Sequence, residues 1–185
     1  MTIGQYYRFY VIARNDAGLS DKSSIITLVA ADVNSEPLNF RTTYQDEKTI
    51  TQEWSTPTAI VGAPILGYTV EQYVGSVWEV VGMTTDSKFT KNTGLITGSV
   101  YKFRVRAENE AGAGRYSYVN TVIAARVPTT PSAFTLLDST PTTIDFGWVE
   151  PYNGGSQITY YKIYWDAGLS TASFSLLAFT VGPDT

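Results

Sequence analysis

Few groups in this chain could do acid–base or covalent chemistry, and they are poorly spaced for it. Asp46 stands beside Glu47, Glu108 is two residues from Glu110, and Asp184 lies near the C-terminal end. A carboxylate pair does general acid–base work when its two members face a substrate in different protonation states. Neighbours one or two apart in a strand or turn are instead read as solvated charges. The chain has no His and no Cys, so the usual general base, the usual thiol nucleophile and the commonest zinc ligands are missing. Its glycines fall in turns, and none forms a phosphate-binding loop between a strand and a helix. The residues argue against an enzyme, and no catalytic, cofactor-binding or metal-binding residue is assigned.

What the sequence does show is repetition. "YRFYVIARNDAGLSDKS" at residues 7 to 23 returns as "YKFRVRAENEAGAGRYS" at 101 to 117. The offset is 101 − 7 = 94, and it holds without a gap for Asn15 and Asn109 and for Gly18 and Gly112. It continues through Pro37 and Pro131, Phe40 and Phe134, Ile50 and Ile144, Trp54 and Trp148, and Pro57 and Pro151. In the next loop it slips by one residue, so that Ile65 aligns with Ile158 and Tyr68 with Tyr161. A period of this length is a domain in an array, longer than a solenoid unit.

The elements inside one period are strands. From Ser99 to Ala107 the side chains alternate, sending Tyr101, Phe103, Val105 and Ala107 to one face and Lys102, Arg104 and Arg106 to the other. That is a half-buried antiparallel strand. "NEAGAG" supplies the turn and "RYSYVNTVIAA" the returning partner. "KTITQEW" and "ILGYTVEQY" are two further alternating runs, and "SVWEVVG" and "SKFT" are shorter candidates. About seven short strands and no helical period predict a two-sheet sandwich. Apolar residues make up 43% of the chain and aromatic residues 14%, including 13 Tyr and 4 Trp. That suffices for a core of strands.

These residues resemble the fibronectin type III domain. The resemblance rests on Pro37 opening the first strand, Trp54 in the second, Tyr68 in the third, and the run Leu95, Tyr101, Phe103, Val105, Ala107, Asn109, Gly112 and Ser117. It implies an all-β chain of tandem immunoglobulin-like sandwiches, one complete and two partial. Residues 1–31 would be the last two strands of one repeat, 37–127 a whole repeat, and 131–185 the first part of another. It further implies a structural core of Trp54, Tyr68, Leu95, Tyr101, Phe103, Trp148 and Tyr161, in which Leu95 and Tyr101 look like a tyrosine corner. Position 52 departs from the pattern: Gln52 falls in the inward set where the later repeat has Phe146. A buried Gln must find hydrogen-bond partners or cost about 1–3 kcal/mol.

The best-known ligand modes of the family do not transfer. The loop between the last two strands carries no Arg-Gly-Asp, the paired Trp-Ser signature is absent, and no Asn begins a glycosylation triplet. The linker "RVPTTPSAF" is compatible with O-linked sugar. A net charge of −4 gives no reason to expect nucleic acid. No apolar run approaches the roughly 20 residues of a membrane span. Two outward spots are candidate interfaces. Tyr10 and Ile12 stand where the second copy has Arg104 and Arg106, and Trp78 could stack on a partner or lie against its own sheet.

The expectation is a structural or adhesive repeat protein, part of an extracellular or cell-surface fibre, whose partners are copies of itself, adjacent repeats or other proteins. A non-catalytic module of a larger secreted enzyme and an intracellular cytoskeletal array are the alternatives. The short segments "DVNSE" and "RVPTT" predict a semi-rigid rod. The two end pieces are nearly complementary halves of one domain. They would be completed by covalent neighbours or by strands donated from separate chains.

Overall fold

The computed structural model describes residues 1–58, 61–169 and 173–181; Asp184 lies outside them. Every element among the described residues is a strand. The first group is β1 (Tyr6–Phe9), β2 (Arg14–Asn15), β3 (Gly18–Leu19) and β4 (Ile26–Val29). The middle group is β5 (Leu38–Gln45), β6 (Ile50–Ser55), β7 (Gly67–Val74), β8 (Val77–Thr84), β9 (Lys88–Lys91), β10 (Val100–Asn109), β11 (Gly112–Tyr116) and β12 (Asn120–Ile123). The last is β13 (Ser132–Ser139), β14 (Ile144–Val149), β15 (Tyr160–Trp165) and β16 (Ser175–Val181).

The middle group makes two facing antiparallel sheets. One has the order β5-β6-β9; the other runs β11-β10-β7-β8, with β12 also paired to β10. The alternation of β10 explains the arrangement, because Tyr101, Phe103, Val105 and Ala107 are buried while Lys102 is exposed. These side chains meet Phe40, Ile50 and Trp54 from the opposite sheet in one core, with Leu95 partly buried against it. Trp54 packs edge-on to Tyr68 at 5.2 Å between ring centroids, a favoured aromatic geometry. The return strand predicted as one piece is divided into β11 and β12. Between them Ser117 leaves the regular ladder, its hydroxyl accepting from the Val105 N–H at 3.1 Å and donating to the Tyr118 carbonyl at 2.8 Å.

Gln52 is fully buried and satisfied. Its Nε2 donates to Thr42 Oγ1 at 2.9 Å, and its Oε1 accepts from Asn120 Nδ2 at 2.7 Å. Asn120 Nδ2 also lies 2.8 Å from Thr42 Oγ1. The triad ties β5 and β6 to β12 across the core, so the polar side chain does not incur the cost of an unpaired group.

The flanking groups are two-stranded sheets. In the first, β1 pairs with β4, setting Tyr7 opposite Leu28, and β2 with β3. In the last, β13 pairs with β14 and β15 with β16. There Trp148 meets Tyr161 edge-on at 5.1 Å, the counterpart of Trp54 and Tyr68, but both are only half-buried.

Candidate interaction surfaces

The tyrosine corner forms as a local device. The Ile96 N–H donates to the Tyr101 hydroxyl oxygen at 2.8 Å, and that hydroxyl donates to the Gly94 carbonyl at 3.5 Å. At the same offset of 94, the Thr2 N–H donates to the Tyr7 hydroxyl oxygen at 2.7 Å. Further bonds recur. The Ala111 N–H bonds Asn109 Oδ1, and the Ala17 N–H bonds Asn15 Oδ1, both at 2.9 Å. Ser117 caps Val105 as Ser23 caps Val11.

The outer face of β10 is occupied by its own partners. The Arg104 guanidinium lies 4.2 Å from the Trp78 ring centroid and 3.7 Å from that of Tyr116. Its Nη2 reaches Glu71 Oε2 at 2.6 Å, and the Tyr116 hydroxyl donates to Glu71 Oε1 at 2.6 Å. Burial pushes the Glu71 carboxyl up, but hydrogen bonds from Tyr116 and Arg104, with the charges of Arg104 and Arg106, outweigh it and hold the group below its ordinary value. Trp78 is half-buried and leans against this cluster and against Tyr73, with ring centroids 5.3 Å apart. Tyr10 and Ile12 are exposed, and Lys22 Nζ sits 4.7 Å over the Tyr10 ring. The two spots are not brought together.

The carboxylates have structural partners. Asp46 accepts from the Lys48 and Thr49 N–H groups at 2.8 and 2.6 Å in the β5–β6 turn, and from the Tyr44 hydroxyl at 2.8 Å. Glu108 accepts from Thr69 Oγ1 at 2.6 Å, and Glu110 from the Tyr6 hydroxyl at 2.6 Å. Glu47 lies 3.5 Å from Arg126 Nε. Among the described residues, no three acidic side chains gather as a metal site.

The sequence reading missed the joints between groups. The Asp32 N–H donates to the Val61 carbonyl at 2.8 Å, and the Arg126 N–H to the Gly154 carbonyl at 2.9 Å. Beside the first bond, Gly4 packs on Gly62; beside the second, Gly98 packs on Gly155. All four have φ between 79° and 90°, which only glycine adopts cheaply. A Cβ on Gly62 would meet Ile3 at 2.7 Å and the Ala30 carbonyl at 2.9 Å; on Gly155 it would meet Thr97 at 2.5 Å and the Ala124 carbonyl at 3.5 Å. Gly4 and Gly98 share the offset of 94, and Gly62 and Gly155 the offset after the slip. The alignment could therefore have found these pairs, although it could not show that they touch. The first linker is also held by the β10–β11 hairpin, where the Arg115 N–H of β11 donates to the Asn34 carbonyl at 3.0 Å and Asn109 Nδ2 at the end of β10 donates to the Asp32 carbonyl at 2.9 Å.

Comparison with known proteins places this geometry. The fibronectin type III domain family matches residues 35–123. The chain is 31% identical over 177 residues to Myomesin-2 of Homo sapiens, across 88% of the chain and 12% of that protein. It is 29% identical over 168 residues to Tyrosine-protein phosphatase Lar of Drosophila melanogaster, across 86% of the chain and 8% of that protein. A crystal structure of domains from titin superposes with a TM-score of 0.50 at 27% identity, covering 64% of this chain and 40% of the other. The chain spans only a small part of the length of these curated relatives, and both alignments reach well beyond residues 35–123.

Proposed function

We propose that this chain, which belongs to the fibronectin type III family through residues 35–123, is a segment of a tandem array that acts as a semi-rigid spacing and protein-binding rod. Residues 37–127 are one complete repeat, 1–31 the last strands of the repeat before it, and 131–185 the first part of the repeat after it. The observation that carries the reading is the recurrence of the joint. The same backbone hydrogen bond and the same glycine-to-glycine contact occur at both boundaries. A freely jointed chain has no reason to repeat them.

The function is mechanical and non-catalytic. Each joint sets the direction of the next sandwich, and short linkers keep successive sandwiches in line. Partners are adjacent repeats, copies of the chain and other proteins. An extracellular or cell-surface fibre is one setting. An intracellular filament is the second reading, favoured by relatives such as Myomesin-2 and the M-protein of striated muscle from Gallus gallus. The similarity to a tyrosine-protein phosphatase, of which the chain covers 8%, fits a spacer module of a larger enzyme.

Small-angle scattering of linked copies of residues 37–130 tests the rod. The maximum dimension is expected to grow in proportion to the number of copies. Gly98→Val in every copy puts a side chain where a Cβ meets the facing carbonyl at 2.9 Å in the present joint, and is expected to shorten and broaden the distribution. A wild-type array already compact and broadly distributed overturns the proposal.

A further inference from the structure

We propose that Glu47 of the middle repeat, Arg126 of the linker and Tyr152 of the following group form a side-chain clasp that makes the second joint specific for its neighbour, over a backbone frame common to both joints. This deepens the array reading and rests on it.

The frame brings the three side chains together. The Arg126 N–H donates to the Gly154 carbonyl at 2.9 Å. Tyr152 is bound to the same linker twice: its carbonyl accepts from the Thr129 N–H and its N–H donates to Thr129 Oγ1, both at 3.0 Å. Arg126 and Tyr152 are thereby held side by side, with the guanidinium 5.4 Å from the ring centroid, within the range of a cation–π contact. Glu47 comes from the β5–β6 turn of the middle repeat, and its Oε1 lies 3.5 Å from Arg126 Nε. That oxygen is shut from solvent and accepts no hydrogen bond among the described residues; the Glu47 side chain as a whole is 19% exposed. An enclosed carboxylate oxygen without a donor needs a cation beside it. Arg126 supplies one. Glu47 also raises the Tyr152 hydroxyl above its ordinary value, first by hydrogen bonding, then with burial and its charge adding, while Arg126 opposes. The one carboxylate faces linker and neighbour together.

The first joint has the same frame and other side chains. Its backbone bond from Asp32 to Val61 and its glycine contact match those of the second. Asp32, however, stands where the second joint has Arg126, and Thr58 follows Pro57 where Tyr152 follows Pro151. Asp32 turns to its own backbone, its Oδ1 accepting from the Val33 N–H at 2.7 Å. A different side-chain bond crosses there, from the Tyr6 hydroxyl to Glu110 Oε2 at 2.6 Å. The period carries Tyr6 to Val100, which has no hydroxyl to repeat it. A contact of backbone and glycine accepts any successor with the same glycines. A contact of carboxylate, guanidinium and phenol accepts only a successor that brings the phenol. The partner that fits the end of the middle repeat is therefore a repeat with tyrosine after that proline, and a second copy of residues 37–127 is not one.

Distances between two nitroxide labels across the second joint test this in residues 1–185. The chain has no cysteine, so labels at Thr43→Cys and Asp145→Cys, both exposed positions, report on that joint alone. Double electron–electron resonance is expected to give one narrow distance peak. Glu47→Gln is expected to lose it. So is Arg126→Asp with Tyr152→Thr, which installs the residues of the first joint and leaves the glycines in place. Wild type in about 1 M salt is expected to lose the peak as well, because the screening length then falls to about 3 Å; packing alone would not respond. Unchanged thermal unfolding of the middle repeat shows that each variant is folded. A wild-type distribution that is already broad, or a peak that survives Glu47→Gln or high salt, overturns the inference. The array reading is judged separately, because linked copies of residues 37–130 carry Thr58 in the place of Tyr152 and test the common frame.

Discussion

The hairpin at residues 6–29 and the hairpin at 100–123 are the same local structure in two environments. Both hold a Tyr hydroxyl against an upstream N–H five residues earlier. Both cap a valine N–H with a serine hydroxyl and close the turn with an asparagine carboxamide. Yet Phe103 has no exposed surface while Phe9 is 40% exposed. The difference separates two contributions. Hydrogen bonds between residues near in sequence form wherever the local sequence is present, whereas burial requires the other sheet, which comes from residues far along the chain. Two strands alone have no second face to cover them, so the first hairpin keeps its bonds and lacks its core.

The comparison is sharpest at the buried aromatic. Phe103→Ala is expected to destabilise the middle repeat by about 3–5 kcal/mol, the usual cost of emptying a filled aromatic site. Phe9→Ala is expected to change stability by less than about 0.5 kcal/mol. Denaturant titration followed by tryptophan fluorescence measures both; equal losses would mean that the first hairpin is already covered.

The next largest effect concerns the polar triad. Gln52→Leu removes an acceptor from Asn120 and a donor to Thr42, and is expected to cost about 1–3 kcal/mol. Installing the apolar set of the flanking halves, Thr42→Leu, Gln52→Phe and Asn120→Ile together, is expected to cost less than the sum of the single changes, because the three act as one network. Strict additivity would show that the triad is not coupled.

Tyr101→Phe deletes the corner hydroxyl in the covered hairpin and is expected to cost about 1 kcal/mol. Tyr7→Phe deletes the same group in the open one, with no resolvable loss in the same titration. The smallest effect is on pH dependence. The Glu71 carboxyl is held below its ordinary value of 4.5. Its contribution is therefore present above about pH 4.5 and is lost as the pH falls through the lowered folded value. Glu71→Gln is expected to flatten the acid limb of stability against pH, and an unchanged slope would assign that limb to other carboxylates.

The sequence by itself determined the strands, their facing and the period. Alternation along β10 separates the buried Tyr101, Phe103, Val105 and Ala107 from the outward Lys102, Arg104 and Arg106, because successive side chains in a strand point to opposite faces. Trp54, Tyr68 and the corner at Leu95 and Tyr101 were legible through the resemblance to the fibronectin type III pattern, which the repeat carries in register. Only the tertiary structure decided what lies between elements distant in the chain. Asn120 reaches Gln52 across 68 residues, Glu71 recruits Arg104 and Tyr116, and Gly98 finds Gly155 across the joint. Periodicity records which face of a strand turns inward. It does not record which side chain of another strand waits there, because that depends on how two twisted sheets and two successive repeats are packed.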